Sequence, residues 1–364
     1  MAVWAKSRYH GAMFITGLGT AAPAQVYKQS EGWEAVQKAP QFSQLSPRSR
    51  AILRKVLKGS NGIETRCLAL ESLHEVFASN PDVLQARFAQ HAPLLGAQAA
   101  ERALEDANTA PGEIDALLVS TCTGYLCPGL TSYVSERLGL RPDALLLDLV
   151  GQGCGAALPN LRTGEALLAS GRCGRVLSVC VEVCSAAYYL DDDPGVLISA
   201  CLFGDGAGAA VLSPEPKAGG RMVKWNCSRS TISAKGRDLL RFEHKNGMLR
   251  NVLSPEVPGL AAHYSDEVLK RTLAGAGVAR EQITGWIWHA GGRDVLAALQ
   301  ERFGLNAEDL RWSAGVLREY GNISSSCVYF VLQAALADRA PGGWWWMSSF
   351  GAGFSCHGAL LEVE

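Results

Sequence analysis

Apolar residues along the chain fall into short continuous runs bounded by glycines and longer runs with helical spacing, and the two kinds alternate. AMFITGLGTAAP reads as a strand and turn, and Glu31 to Lys58 as a polar helical stretch whose second half is rich in Arg and Lys. HAPLLGAQAAERALEDAN has the apolar stripe of an amphipathic helix, and EIDALLVSTCTG follows as a strand. TSYVSERLGL (helix), LLLDLV (strand), NLRTGEALLASG (helix) and RVLSVCVEVCS (strand) continue the alternation. ACLFGDGAGAAVLSP reads as a paired strand region with a glycine turn. LLLDLV has the near-continuous apolar pattern of a buried strand.

The logic repeats after Pro214. YSDEVLKRTLAGAG is a helix, ITGWIWHAGG a strand and turn, VLAALQERFGL and SSSCVYFVLQAALADR helices, and GWWWMSSFGAGFSCHGALLEVE two closing strands around a glycine turn. This pattern predicts an α/β protein with largely parallel, two-sided sheets, built as one domain of two similar, tightly packed halves, 1–214 and 215–364.

Composition narrows the function. The 364 residues are 48% hydrophobic with a net charge of −1, so no basic excess points to nucleic acid. Eleven cysteines at irregular spacing make a poor disulfide framework and suit a reducing cytoplasm. Neither a cleavable signal pattern at the N-terminus nor an apolar run of membrane-spanning length is evident, which predicts a soluble cytoplasmic protein.

Three stretches carry chemistry at strand-to-turn junctions: GQGCGAAL around Cys154, WIWHAGG around His289 and EYGNISSSC around Asn322. Cys154 falls in a glycine turn before a helix, whose N-terminal N–H groups and macrodipole favour the reactive thiolate. The flanking glycines let a substrate carbonyl approach. A thiol with a remote His and Asn suits either a papain-like hydrolase or an acyl-transferring condensing enzyme. The mid-chain cysteine and the short interval from His289 to Asn322 count against the hydrolase. Cys122, Cys127, Cys180 and Cys184 lack CxxC pairing or a neighbouring His, so no metal site is predicted.

These contexts, with GLGTAAP, CTGYLCPG, LFGDGAG and SFGAGF in order along nearly the whole chain, resemble the type III polyketide synthases, the thiolase-fold condensing enzymes that include the chalcone and stilbene synthases. The resemblance implies a layered αβαβα fold, acyl-CoA and malonyl-CoA as substrates, and no metal or redox cofactor. It also implies that Cys154 takes the starter acyl group as a thioester. His289 would hold the thiolate as an ion pair and, with Asn322, bind the malonyl thioester carbonyl as loss of CO2 leaves an enolate.

Phe203 matches the family phenylalanine between the CoA tunnel and the cavity. The second family phenylalanine is absent, and Asn251 and Val252 fall near its place. Ala290 stands where plant members commonly have proline. Cys122, Cys184 and Ala187 match cavity positions, and Gly292, Gly351 and Gly353 belong to the motifs that frame cavity and gate. Their small size suggests an apolar channel for a fatty acyl-CoA starter and an alkylresorcinol or alkylpyrone product, as in bacterial members.

The turn from Cys127 to Gly129 aligns with the loop that enters a neighbouring subunit's cavity, which implies a homodimer. Arg54, Lys55 and Lys58 are the candidate cations for CoA. The alternatives are a small or aryl starter giving a hydroxylated aromatic, a single condensation of the ketoacyl-carrier-protein synthase III type, and a non-catalytic acyl-binding scaffold.

Overall fold

The computed structural model describes residues 12–77 and 80–364; the reading of a signal-free N-terminus falls largely on residues 1–11, outside the described residues. The strands are β1 (Met13–Ala21), β2 (Val26–Lys28), β3 (Thr65–Cys67), β4 (Ala116–Thr121), β5 (Leu145–Val150), β6 (Val176–Glu182) and β7 (Gly206–Ser213). The second half adds β8 (Val223–Ile232), β9 (Leu240–Lys245), β10 (Met248–Leu253), β11 (Ile283–Trp288), β12 (Gly343–Gly351) and β13 (Ser355–Val363). Nine of them form one sheet in the order β11-β12-β13-β8-β1-β7-β6-β4-β5. Its two halves meet where Met13 and Phe14 of β1 pair with Trp225 and Lys224 of β8.

Period-two alternation sorts the side chains into layers. Leu117, Val119, Leu177, Val179, Ala209 and Val211 face one core with helices Pro81–Ala107 and Leu130–Leu138. Their neighbours Ala116, Leu118, Val176, Ala210 and Leu212 face the opposite core, shared with helices Ala157–Ala169 and Cys327–Ala337 and with β11 to β13. Helix Val257–Ala276, backed by Arg293–Phe303, covers the far side of β8 and β13. The result is the five-layer αβαβα arrangement that the resemblance implies. Within it, Trp345 and Trp346 are fully buried core residues.

Three sequence readings need correction. The sheet is mixed: only β11/β12, β4/β5 and β4/β6 pair in parallel. The short turn between β12 and β13 can close only an antiparallel pair, and the halves also join antiparallel. LLLDLV is an edge strand, with Leu145 at 41%, Leu146 at 37% and Val150 at 59% exposure. The segment before LFGDG is a helix, Pro194–Leu202, because Asp193 accepts from the backbone N–H groups of Gly195 and Val196 and Pro194 occupies the first turn. Strand β8 and the β9–β10 hairpin carry weaker periodicity and are known only from the structure, and helix Arg311–Tyr320, though amphipathic, is likewise seen only there. No helix among the described residues is long and apolar enough to cross a membrane.

A buried polar knot ties the central helices to the sheet. Asn160 Nδ2 donates to Ser120 Oγ (2.9 Å) and to the Val179 carbonyl (3.1 Å), and Asn160 Oδ1 accepts from Ser178 Oγ (2.9 Å). Ser178 Oγ also bonds Tyr329 OH at 2.8 Å. Removing one member leaves buried groups unpaired. Asn160→Ala should therefore lower unfolding free energy by about 2 kcal/mol and Tyr329→Phe by about 1 kcal/mol. Urea denaturation of both single variants and the double variant should give non-additive losses, since the two side chains share Ser178.

Candidate active site

Cys154 occupies a single 3-10 turn, Gly153–Gly155, between β5 and the helix that starts at Ala157. Gly151 (φ +84°) and Gly153 (φ +56°) take left-handed backbone conformations that make this turn possible. The turn is clamped by the opposite half of the chain. A Cβ on Gly351 would lie 2.4 Å from the Gly155 nitrogen, and one on Gly153 would lie 2.9 Å from Ala352. Ser349 Oγ donates to the Gly155 carbonyl at 3.0 Å.

A chain of contacts links the three predicted residues. Ser324 Oγ donates to Cys154 Sγ at 3.2 Å, and the Ser324 N–H donates to Asn322 Oδ1 at 2.9 Å. Asn322 Nδ2 donates to the Gly291 carbonyl at 3.0 Å, which leaves its second N–H uncommitted. Gly291 in turn donates its N–H to the His289 carbonyl at 3.0 Å. The His289 ring packs edge-on against Phe350, with centroids 5.1 Å apart, and its Nδ1 is buried without a partner. Phe203 forms an isolated bridge with Asn322, whose backbone bonds Leu202 and Gly204 on either side of it.

Burial governs the electrostatics. It pushes the Cys154 thiol up to about 12 and the His289 imidazole down to about 4. Desolvation is the largest cause at both groups, and the α-helix begins only at Ala157, beyond the turn that holds Cys154. Cys154 is nonetheless only half-buried, which leaves a substrate carbonyl an approach.

Two residues that sequence reasoning missed complete this centre. Glu182, fully buried at the end of β6, accepts from the Cys122 N–H (3.0 Å), Thr123 Oγ1 (3.0 Å), Ser324 Oγ (3.3 Å) and Ser325 Oγ. Burial raises its carboxyl above the ordinary value, and the hydroxyl and backbone donors oppose that rise. A lone carboxylate inside the apolar run VLSVCVEVC was the available signal. Ser324 has one hydroxyl hydrogen for two acceptors, Cys154 and Glu182, and holds φ +51°, a conformation uncommon outside glycine.

Two cavities adjoin this centre. The larger, about 520 Å³, is lined by Cys122, Thr123, Gly353 and Ala186 together with Phe242, Met248 and Leu249 of the β9–β10 hairpin. The smaller, about 20 Å³, lies among Cys184, Ala187, Phe203, Ser324, Leu249 and Asn251. The space beside Cys184 and Ala187 is narrow, bordered by Phe203, Phe242 and Leu249. Space opens on the Cys122 side instead, one contact from Ser324 (3.4 Å).

The remaining predicted residues lie further out. Gly351 packs on the nucleophile turn, and Gly292 caps helix Arg293–Phe303. Cys127 is exposed and lines neither cavity. Arg54, Lys55 and Lys58 are exposed on helix Pro47–Lys58 and line neither cavity, and Lys58 Nζ lies 6.0 Å from the Trp33 ring centre. Among the described residues no cluster of three or more His, Cys, Asp or Glu could hold a metal ion.

Known proteins resemble this chain along nearly its whole length. Residues 3–216 match the family of chalcone and stilbene synthases, N-terminal domain, and residues 234–362 match its C-terminal domain. A 3,5-dihydroxyphenylacetyl-CoA synthase of Amycolatopsis balhimycina is 31% identical over 96% of this chain and 92% of its own. One of Amycolatopsis orientalis is 33% identical over 74% of this chain and 73% of its own. The solved structure of PKS-I from the brown alga Ectocarpus siliculosus superposes with a TM-score of 0.87 at 25% identity, covering 98% of this chain and 100% of that one. A type III pentaketide synthase from Neurospora crassa shares the fold with a TM-score of 0.86 at 23% identity, covering 97% and 100%. Matched in both halves, the chain belongs to the chalcone and stilbene synthase family: it is a type III polyketide synthase, an acyltransferase that works by decarboxylative condensation of CoA thioesters and needs no cofactor beyond them.

Proposed function

We propose that this synthase loads a long-chain fatty acyl group on Cys154, extends it with several malonyl-CoA units and cyclises it to an alkylresorcinol or alkylpyrone. Residues 1–214 supply the nucleophile and 215–364 the His and Asn. In loading, the Cys154 proton passes to His289, the thiolate attacks the acyl-CoA carbonyl, and CoA leaves as the thiol with that proton. In extension, the malonyl C–C bond breaks, CO2 departs, and the electron pair forms a thioester enolate. Its oxygen accepts from the free Asn322 N–H and from a ring N–H of His289. The enolate carbon then attacks the Cys154 thioester, whose C–S bond breaks.

The observation that carries the fatty starter is the cavity of about 520 Å³ that opens at Cys122 beside Phe242, Met248 and Leu249, with Arg237, Arg241 and His244 also in its lining. It lies in the range of roughly 300–1,000 Å³ that encloses drug-sized ligands, and each methylene buried against its apolar part contributes about 0.8 kcal/mol. A second reading is an aromatic product from a small starter. It draws on the narrow space at Ala187 and on relatives that are 3,5-dihydroxyphenylacetyl-CoA synthases. We further infer a homodimer through the exposed face of Tyr125, Leu145, Leu146 and Val150, next to the Cys127 turn and the cavity. The eleven free thiols suit a cytoplasmic setting.

Three measurements check these readings. Incubated with labelled malonyl-CoA and acyl-CoAs of graded length, the enzyme should add several ketide units, with kcat/KM rising as the starter lengthens. A turnover confined to malonyl-CoA alone would favour the aromatic product. His289→Ala should slow acylation of Cys154 by an acyl-CoA, read by intact mass without malonyl-CoA, by about a hundredfold or more, since a positioned base contributes roughly 10²–10⁴-fold. An unchanged rate would remove His289 from that role. Leu146→Arg should convert a dimer to monomers in light-scattering chromatography.

A further inference from the structure

We propose that Asn251 is a specificity-determining residue whose side-chain carbonyl accepts a hydrogen bond from the cysteamine amide N–H of each incoming thioester. Asn251 lies on β10 at 3% exposure, pressed so closely on helix Pro194–Leu202 that a Cβ on Gly195 would meet its carbonyl oxygen at 2.2 Å. Its Nδ2 donates to Ser199 Oγ at 2.7 Å. The Ser199 hydroxyl spends its one hydrogen on the Gly195 carbonyl, also at 2.7 Å, so toward Asn251 it can only accept. That sets the orientation of the amide and leaves Oδ1 as its free atom. Oδ1 is buried and has no partner.

The surroundings connect this atom to the reaction. Asn251 lines the 20 Å³ cavity with Phe203 and Ser324, and Ser324 Oγ contacts Cys154 Sγ at 3.2 Å. Apolar side chains of Ala187, Val196, Phe242 and Leu249 border the same space. A buried acceptor without a donor destabilises the empty enzyme, and a ligand N–H relieves that cost. Every CoA thioester carries such a group three bonds behind its sulfur, along S–CH2–CH2–NH, whereas a fatty acyl chain offers none. A site built to bond an N–H discriminates strongly against an analogue that lacks it. The other donor of similar chemistry, the enol of a growing β-keto chain, exists only after the first extension.

The inference rests on Cys154 being the acylated thiol, so the test reads acylation of Cys154 by intact mass, without malonyl-CoA. Two thioesters of one fatty acid are compared: the N-acetylcysteamine thioester and its analogue with an ester oxygen in place of the amide N–H. The wild type should load the amide about tenfold faster. Asn251→Leu should bring the ratio near one. Ser199→Ala, which frees the amide to turn, should lower the ratio and serves as the second variant should Asn251→Leu fold poorly. Equal loading of both thioesters by the wild type, or a ratio unchanged in both variants, overturns the proposal. A ratio that changes only when malonyl-CoA is present assigns the donor to the enol and overturns the amide assignment. Absence of acyl-Cys154 with either thioester overturns the nucleophile reading and this inference with it.

Discussion

The site depends on one close backbone contact, that of the Gly153–Gly155 turn against the end of β12. Gly351 has no room for a Cβ, which would lie 2.4 Å from the Gly155 nitrogen, and one on Gly155 would be tight, 3.2 Å from the Gly351 nitrogen. The two halves of the chain can therefore approach until the nucleophile turn touches the strand next to the one that presents His289. Close packing makes such contacts stiff, so a methyl group here displaces Cys154 relative to Ser324 and Asn322.

The centre assembled by that contact is buried and largely uncharged. Burial drives the Cys154 thiol and the His289 imidazole toward their neutral forms. A charge created in this medium is stabilised only by groups already in place. Asn322 illustrates the arrangement: Gly291 and Ser324 engage its amide at both ends and fix its plane, yet one N–H remains available. Glu182 is held in the same interior by several donors, two of them from the triple-serine turn that contacts Cys154. Such a network gives the site a fixed geometry.

Specificity resides in a different part of the molecule from the chemistry. The β9–β10 hairpin supplies Phe242, Met248 and Leu249 to the large cavity and Asn251 to the small one, while it stands outside the main sheet. A two-stranded ribbon can change its side chains without disturbing the nine-stranded core, so the fold can keep one reaction and vary its substrates.

The sequence by itself determined the elements with strong periodicity and the identity of the reacting groups. Cys154, His289 and Asn322 each follow a turn-forming glycine or an apolar strand, a local pattern that survives without knowledge of the partner. The family assignment rested on motifs of the same local kind. Tertiary structure alone decided what depends on distant neighbours. The apolar run of β5 lies on an open edge, because a pattern of hydrophobic residues records burial without saying which surface provides it. The thiol is pushed toward its neutral form because residues far apart in sequence enclose it. The wider space lies at Cys122 and the narrower at Ala187 because the β9–β10 hairpin and Phe203 border the second position. Electrostatics and cavity shape are sums over space, and the chain order does not contain that sum.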